Sequence, residues 1–261
     1  MDAKYRIDPR WLAALPLILW MISPLAVLYA QGSSQTGLLF RDDFDGQLKQ
    51  GWQWMDPKGD CTHSLDAHKG YLRIAIPGGS RYDLFNPVDN YSAPRLTREV
   101  DGDFIIETKL IRSGSPHAEG GLLVWKDYRH FIRFESGVHF RNELFFGAAV
   151  NGKFLRRAMD YVAGDPIWLR LERTGSIYRA FYSADGTDWH PTSRTYIATR
   201  GSRGGIDWDH LDLLKEDDFE FQPATGSVEM SVQGPLQVGI SALTKGAETA
   251  VDYDYFQITG K

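Results

Sequence analysis

The stretch from Pro166 to Trp189 constrains the fold more than any other segment, because it has the pattern of a β-hairpin followed by a second turn. Aliphatic residues alternate there with aromatic or charged ones: Ile167, Leu169 and Leu171 against Trp168, Arg170 and Glu172. This period of two is typical of a strand with one buried face. Thr174-Gly175-Ser176 supplies one turn and Asp185-Gly186 another, since glycine tolerates the positive φ of tight turns. The pattern predicts an antiparallel strand pair.

Short β-like runs separated by Gly, Pro, Asn and Asp continue this pattern along the chain. Besides the hairpin they are Leu39–Phe44, Trp52–Met55, Tyr71–Ile76, Phe104–Arg112, Gly121–Trp125, His130–Glu135, Leu144–Val150, Tyr196–Thr199, Val228–Val232, Leu236–Ala242 and Val251–Thr259. No amphipathic helix of convincing length lies between them. The pattern therefore predicts an all-β fold, an antiparallel sandwich or barrel, and 261 residues suit one such domain.

The N-terminus has the composition of a targeting segment. Lys4, Arg6 and Arg10 precede an apolar run from Trp11 to Ala30. The run is long enough to span a bilayer, but its two prolines favour a signal peptide cleaved after Gly32. We expect residues 1–32 to be a signal peptide or membrane anchor, 33–37 a linker and 38–261 the folded domain, placed outside the cytoplasm.

Charge and cysteine content narrow the possible partners. The net charge is −5 and the pI about 5.8, which argues against a nucleic-acid-binding protein. The membrane is expected as a partner only through the N-terminal segment. Cys61 is the single cysteine, so no intrachain disulfide can form.

An acidic insertion at about 200–235 interrupts the regular spacing of strands. Its residues 207–220 hold seven carboxylates and one lysine, and we expect a short helical turn near His210–Lys215. Such a loop could bind a cation, although charge runs are usually only solvated.

A set of short motifs, taken in order, resembles the DUF1349 group of concanavalin A-like β-sandwich (jelly-roll) modules. The motifs are Asp43-Phe44, Trp52, Asp56-Pro57, Gly59-Asp60, Ile76-Pro77-Gly78-Gly79, Ala93-Pro94-Arg95-Leu96, Gly102-Asp103-Phe104, Gly121-Leu122-Leu123-Val124-Trp125, Trp168-Leu169-Arg170-Leu171, Tyr182-Ser183-Ala184-Asp185-Gly186, Trp189 and Asp254-Tyr255-Phe256. These modules are similar to the C-terminal sandwich of family 43 β-xylosidases. The resemblance covers nearly all of the chain from residue 39, apart from the 200–235 segment. It implies a fold shared by lectins, glucanases and adhesion modules.

Carbohydrate binding on such a sheet requires flat apolar surfaces and bidentate polar groups. The candidate ligand-binding residues are Trp125, Arg133, Glu135, Trp168 and Arg170. The resemblance implies that Arg133 and Glu135 share a sheet with Trp168 and Arg170. The competing interpretation is core packing for the tryptophans and cross-strand ion pairing for the charged residues.

Two other functions compete with non-catalytic carbohydrate binding. A glycoside hydrolase could use Glu99 or Glu135, since Glu99-Val100-Asp101-Gly102-Asp103 partly matches the carboxylate spacing of family 16 glucanases. Asp101-Gly102 fits a turn better. An adhesion or scaffolding module that binds a protein is the second alternative. No Ser/His/Asp order or dinucleotide fingerprint is present.

Metal sites are weakly indicated, and we expect no cofactor, with calcium as a possibility. Cys61, His63, Asp66 and His68 could bind zinc, but their spacing is not that of paired structural ligands. Five aspartates near the two ends of the domain could bind calcium if the terminal strands pair: Asp42, Asp43, Asp45, Asp252 and Asp254. The segment from Ser183 to Trp189 resembles a shortened Asp-box, which is a structural turn.

Overall fold

The computed structural model describes residues 37–114, 118–138, 142–198, 216 and 219–261. The predicted leader and nearly all of the linker lie outside these ranges. The described residues form the following strands: β1 (Gly37–Asp42), β2 (Gln53–Met55), β3 (Thr62–Ser64), β4 (Leu72–Ile76), β5 (Arg95–Val100), β6 (Phe104–Gly114), β7 (Glu119–Asp127), β8 (His130–Ser136), β9 (Glu143–Val150), β10 (Lys153–Tyr161), β11 (Ile167–Thr174), β12 (Ile177–Ser183), β13 (His190–Pro191), β14 (Arg194–Ala198), β15 (Phe219–Pro223), β16 (Ser227–Glu229), β17 (Leu236–Leu243) and β18 (Thr249–Gly260). One turn of 3-10 helix spans Asn86–Val88.

The strands form two sheets. The first sheet has the order β13-β12-β11-β6-β18-β4-β3, with β1 also paired to β18 and β16 to β12. The second sheet has the order β15-β14-β10-β9-β8-β7-β17-β5-β2. Among the described strands, all pairings are antiparallel except a single parallel contact between β10 and β14. The all-β, antiparallel prediction is therefore confirmed.

The core lies between the two sheets and follows from the period of two. On β11, Ile167, Leu169 and Leu171 are buried in the same apolar cluster as Ile132 and Phe134 of β8. Each buried side chain of this kind contributes about 1.5–3 kcal/mol relative to an exposed one. The outer faces of both sheets consequently carry the intervening residues.

The hairpin predicted between Pro166 and Trp189 is present, with Trp168 opposite Ser183 and Thr174 opposite Ile177. The described part of the 200–235 insertion contains strands of both sheets, because β15 pairs with β14 and β16 pairs with β12. The helical turn expected near His210–Lys215 lies outside the described residues. Within the described ranges, no helix has the length and apolar character needed to cross a bilayer.

Candidate functional site

The outer face of the second sheet is crossed by residues 80–94, which make up most of the connection between β4 and β5 (residues 77–94) and which we call the covering segment. At one end, Tyr82 and Thr244 exchange backbone hydrogen bonds of 3.0 and 3.1 Å. Farther along, Nδ2 of Asn86 donates to the carbonyl of Gly152 at 2.7 Å. Between these anchors Leu84 is fully buried in a cluster separate from the main core. The segment therefore fills part of this face and forms a wall above the rest.

An aromatic cluster lies where the covering segment meets the turn between β7 and β8. Trp125 and Phe131 stack with ring centroids 5.3 Å apart, and Tyr91 of the covering segment meets Trp125 edge-on at 6.3 Å. Tyr128 lies 4.7 Å from Tyr91 and 5.6 Å from Trp125. Phe131 is buried, whereas Tyr128 is 59% exposed. The cluster thus has a buried base and an open aromatic edge.

A groove of about 660 Å³ opens beside this cluster. We call it the binding groove and define it by Met55, Lys58, Arg81, Tyr91, Arg95 and Tyr128. Its volume lies within the 300–1,000 Å³ typical of small-molecule sites. Asp89 is the single carboxylate among the described residues that line it. The groove therefore combines an aromatic wall with basic side chains.

Arg95 forms part of the groove and is 2% exposed. Its Nη1 donates to the carbonyls of Ala93 at 3.0 Å and Tyr91 at 3.4 Å. The guanidinium carbon lies 4.6 Å from the ring centroid of Trp125. Burial lowers the pKa of Arg95 to about 10, which still leaves it charged at neutral pH. Arg95 is consequently a buried cation held by carbonyls and an aromatic ring.

Arg133 and Glu135 lie on the outer face of the second sheet, but both are buried beside the covering segment. Nε of Arg133 donates to Oε2 of Glu135 at 2.7 Å, and Nη1 donates to Asp83 at 2.9 Å and to the carbonyl of Leu84 at 2.7 Å. Burial lowers the pKa of Arg133, but the carboxylates of Glu135 and Asp83 raise it by more, so that the pKa of Arg133 is raised overall. The predicted pair therefore ties the covering segment to β8.

Two carboxyls of this buried cluster have raised pKa values. Burial raises the pKa of Glu135 to about 7, against the opposing effect of Arg133. Among the described residues, Oε1 of Glu135 has no hydrogen-bond partner. Burial also raises the pKa of Glu119 well above its usual range, although Lys245 opposes this. These groups bind protons more readily than exposed carboxylates do.

Trp168 and Arg170 lie on β11 in the first sheet, so the expectation that they share a sheet with Arg133 and Glu135 is wrong. Nε and Nη2 of Arg170 donate to Oε2 of Glu107 at 3.0 and 2.8 Å. The same guanidinium lies 3.7 Å from the ring centroid of Trp189. The alternation of residues along a strand does not show which sheet that strand joins. The outer faces of the two sheets lie on opposite sides of the sandwich. The five candidates therefore do not form one surface.

The turn after β12 has the structural role that its Asp-box resemblance implies. Oδ1 of Asp185 accepts hydrogen bonds from the backbone N–H groups of Thr187 at 2.7 Å and Asp188 at 2.9 Å. These hydrogen bonds lower the pKa of Asp185, and the bond from Asp188 has the largest effect. The turn places Trp189 beneath Arg170.

The glucanase-like spacing Glu99–Asp103 does not continue along one strand. β5 ends at Val100, and Gly102 has a φ of 75° in the turn before β6. The N–H of Gly102 donates to Oδ1 of Asp101 at 2.8 Å. The interpretation of Asp101-Gly102 as a turn is confirmed, and the carboxylates that follow Glu99 belong to that turn.

The four residues considered for zinc do not come together. His63 packs on Trp54 with ring centroids 4.6 Å apart, and Nδ1 of His68 lies 2.9 Å from a carboxylate oxygen of Asp252. Cys61 instead groups with Asp56 and Asp60. Burial, followed by the charge of Asp56 and then that of Asp60, raises the pKa of Cys61 to about 12, so its thiol stays protonated.

The terminal strands β1 and β18 do pair, as the calcium interpretation requires. The aspartates nevertheless serve separate contacts. Asp42 accepts hydrogen bonds from the backbone of Phe44 and Lys49, whereas Asp252 is paired with Arg73. Among the described residues, these carboxylates do not form a common cluster of metal ligands.

The two packed antiparallel sheets define a concanavalin A-like β-sandwich, as the sequence predicts. The chain belongs to the family of the beta xylosidase C-terminal Concanavalin A-like domain, whose model matches residues 41–205. The relationship to family 43 β-xylosidases is thereby confirmed, while membership of the DUF1349 group stays a prediction. No curated protein sequence matches the chain.

Solved structures share this fold at low sequence identity. A GH43 protein from Bacillus licheniformis is 18% identical with a TM-score of 0.58, covering 85% of this chain and 39% of its own. The xylan beta-1,4-xylosidase from Bacillus halodurans C-125 is 21% identical with a TM-score of 0.55, covering 84% and 38%. The Bacillus licheniformis beta-glucanase is 10% identical with a TM-score of 0.51, covering 85% and 98%. This chain therefore corresponds to less than half of the length of the first two of these structures.

The groove residues Tyr91, Arg95 and Tyr128 were not among the candidates from the sequence. Tyr128 lies in the short turn between β7 and β8, where an aromatic side chain among polar neighbours indicates exposure. Tyr91 and Arg95 carry no comparable signal, because long-range packing brings them beside Trp125. The predicted residue Trp125 contacts all three of them but does not itself line the groove.

Proposed function

We propose that this chain is an exported, non-catalytic carbohydrate-binding domain that binds a polysaccharide or glycoconjugate in the binding groove. The observation that carries the proposal is the open edge of the aromatic cluster. Tyr128 is exposed beside a groove of about 660 Å³ and is supported by Tyr91 and Trp125. A sugar presents flat C–H surfaces that pack on aromatic faces, and a rigid, supported ring loses little entropy when it binds one.

The names of the related structures suggest the first sugars to test. One solved relative is a xylan beta-1,4-xylosidase and another is a beta-glucanase. We therefore propose β-linked xylan or glucan chains as initial probes. The N-terminal basic residues and apolar run support export, with the domain either released or held at the membrane by residues 1–32.

The charge pattern favours binding over hydrolysis. Glycosidases commonly need two carboxyl groups flanking the scissile bond. Among its described lining residues the groove has one carboxylate, Asp89, and Glu135 is fully buried against Arg133. Glu119 and Glu135 have the raised pKa values expected of acid catalysts, but both are buried and neither lines the groove. The sugar would therefore leave the groove unchanged.

Replacement of Tyr128 by alanine tests the groove directly. We expect the dissociation constant for the best-bound xylan or glucan oligosaccharide to rise about fivefold, since an aromatic contact contributes on the order of 1 kcal/mol. Because Tyr128 is mostly exposed, the melting temperature should change little. Titration calorimetry and thermal unfolding of the full-length protein measure the two quantities.

Trp189→Ala on the first sheet is the matched control, because it removes an aromatic ring from the opposite outer face. It should leave the dissociation constant unchanged. A loss of binding in Trp189→Ala but not in Tyr128→Ala would place the site on the first sheet. Release of reducing sugar by the wild-type protein would identify a glycoside hydrolase, and no binding to any glycan would favour a protein ligand.

A further inference from the structure

The binding groove is basic although the protein is acidic. Its described lining contains Lys58, Arg81 and Arg95 against the single carboxylate of Asp89, whereas the whole chain has a net charge of −5. A cleft of one sign surrounded by the opposite sign concentrates ligands of complementary charge. The local excess of positive charge therefore needs an explanation beyond overall composition.

Arg95 is the strongest sign that a negative charge is missing. The carbonyls of Tyr91 and Ala93 accept hydrogen bonds from the Arg95 guanidinium, and the ring of Trp125 lies against it. None of these groups carries a full negative charge. Within the described residues, no carboxylate lies within ion-pair distance of this guanidinium. A buried charge is costly unless it is paired. An anion in the adjoining groove would supply the absent partner.

The other two cations that line the groove are Lys58 and Arg81. Nζ of Lys58 donates to Oγ of Ser80 at 2.9 Å and to the carbonyl of Arg81 at 3.0 Å, both neutral acceptors. Arg81 is paired with Asp83, but that carboxylate is shared with Arg133. Lys58 and Arg81 therefore add two cations to the lining of the groove beside Arg95.

We propose that the groove selects anionic saccharides, with a carboxylate or sulfate group of the sugar bound by Lys58 and Arg81 near Arg95 and the sugar ring packed on Tyr128. This inference rests on the carbohydrate-binding function proposed above and adds the class of ligand. Uronic acids and sulfated sugars share the chemistry that the groove would recognise, namely an anionic group on a ring with an apolar face.

The test compares matched oligosaccharides on the full-length protein by titration calorimetry. The probes are a neutral xylo-oligosaccharide, the same oligosaccharide carrying a glucuronic acid branch, its carboxyl-reduced form, and a sulfated form. We expect the two anionic probes to bind about fivefold tighter than the neutral ones at low salt, since an exposed ion pair contributes up to about 1 kcal/mol. The preference should shrink as salt is added. Comparison of the carboxylated and sulfated probes identifies which anion fits better.

Lys58→Met should reduce the ratio of anionic to neutral affinity towards one. Lys69→Met, which removes an exposed lysine outside the groove lining, should preserve that ratio. Equal affinity of the wild-type protein for anionic and neutral probes would overturn this inference and leave the proposed function standing. An unchanged ratio in Lys58→Met would also overturn it. Failure of every probe to bind would instead reject the proposed function.

Discussion

On the outer face of the first sheet, Arg170 is held by residues of its own sheet and the following turn, whereas the outer face of the second sheet is crossed by a segment that belongs to no sheet. Glu107, which binds Arg170, lies directly opposite it on the neighbouring strand β6. On the second sheet, Arg133 reaches Asp83 of the covering segment, fifty positions away in the chain. The first face is closed by local pairing and the second by a long connection.

This difference explains why a similar alternation of charged and aromatic residues produces different surfaces on the outer faces of the two sheets. Cross-strand neighbours satisfy one another on the first sheet and leave a half-buried, paired network. On the second sheet the covering segment buries some polar groups deeply and leaves Tyr128 and Lys58 beside an open groove. A ligand-sized opening therefore arises from an added element and not from the sheet itself.

The largest expected effect comes from removing the charge that ties the covering segment to β8. Arg133→Met leaves Glu135 and the carbonyl of Leu84 without their buried partner. We expect the free energy of unfolding to fall by about 3–5 kcal/mol, as is typical when one member of a buried ion pair is lost. Urea denaturation measures this change.

The double variant Arg133→Met/Glu135→Leu provides the control, because removing Glu135 as well leaves no unpaired carboxylate at position 135. It should recover part of the lost stability. A loss below about 1 kcal/mol in the single variant would mean that the buried network of the second sheet is no stronger than an exposed pair, and the contrast between the faces would fail.

The next effect is a pH dependence that belongs to the second sheet. Because burial raises the pKa of Glu135 from 4.5 to about 7, the folded protein binds a proton between these pH values that the unfolded chain has released. The titration of Glu135 should therefore lower stability by about 3 kcal/mol as pH rises through this window. Urea denaturation at pH 5 and pH 7.5 measures the slope.

Glu135→Gln should flatten this slope because the amide does not titrate. Glu99→Gln, which alters an exposed carboxyl on β5, should keep the slope of the wild-type protein. If Glu135→Gln and Glu99→Gln behave alike, Glu135 is not the group whose proton links stability to pH.

The smallest effect is expected on the first sheet. Arg170→Met removes a partly exposed ion pair with Glu107 and a contact with Trp189, but Glu107 keeps the hydrogen bond donated by the hydroxyl of Tyr255 at 2.6 Å. Water can also reach the vacated site. We expect a loss of about 1 kcal/mol in urea denaturation and no change in glycan affinity. A loss as large as that of Arg133→Met would show that the two faces are equally dependent on their charges.

The fold could be predicted where the period of two is uninterrupted. Ile167, Leu169 and Leu171 are buried as expected, and Trp168 and Arg170 face outward. β10 was not predicted, because a register shift between Arg156 and Ala158 breaks its alternation. The predicted hairpin and most other runs depend on local alternation and turn residues, which a single sequence displays.

The site was less predictable because its parts come from distant positions. The direction of Arg133 and Glu135 away from the main core followed from alternation on β8, but their burial depends on residues 80–94. The groove needs Arg95 of β5 beside Trp125 of β7, and β17 lies between these strands. Sheet order and the path of a long connection depend on tertiary packing, and local patterns do not reveal either.

The covering segment also has a consequence for how domains of this kind can diversify. Its two ends continue into β4 and β5, so it begins in one sheet and ends in the other. Because loops tolerate changes of sequence and length better than the strands they connect, this segment can be exchanged while the strand register is retained. Grafting residues 77–94 onto another sandwich of the same architecture is therefore the shortest transplant that would carry the wall of the groove. Natural selection could alter ligand preference in the same way, by changing this segment and keeping the strands.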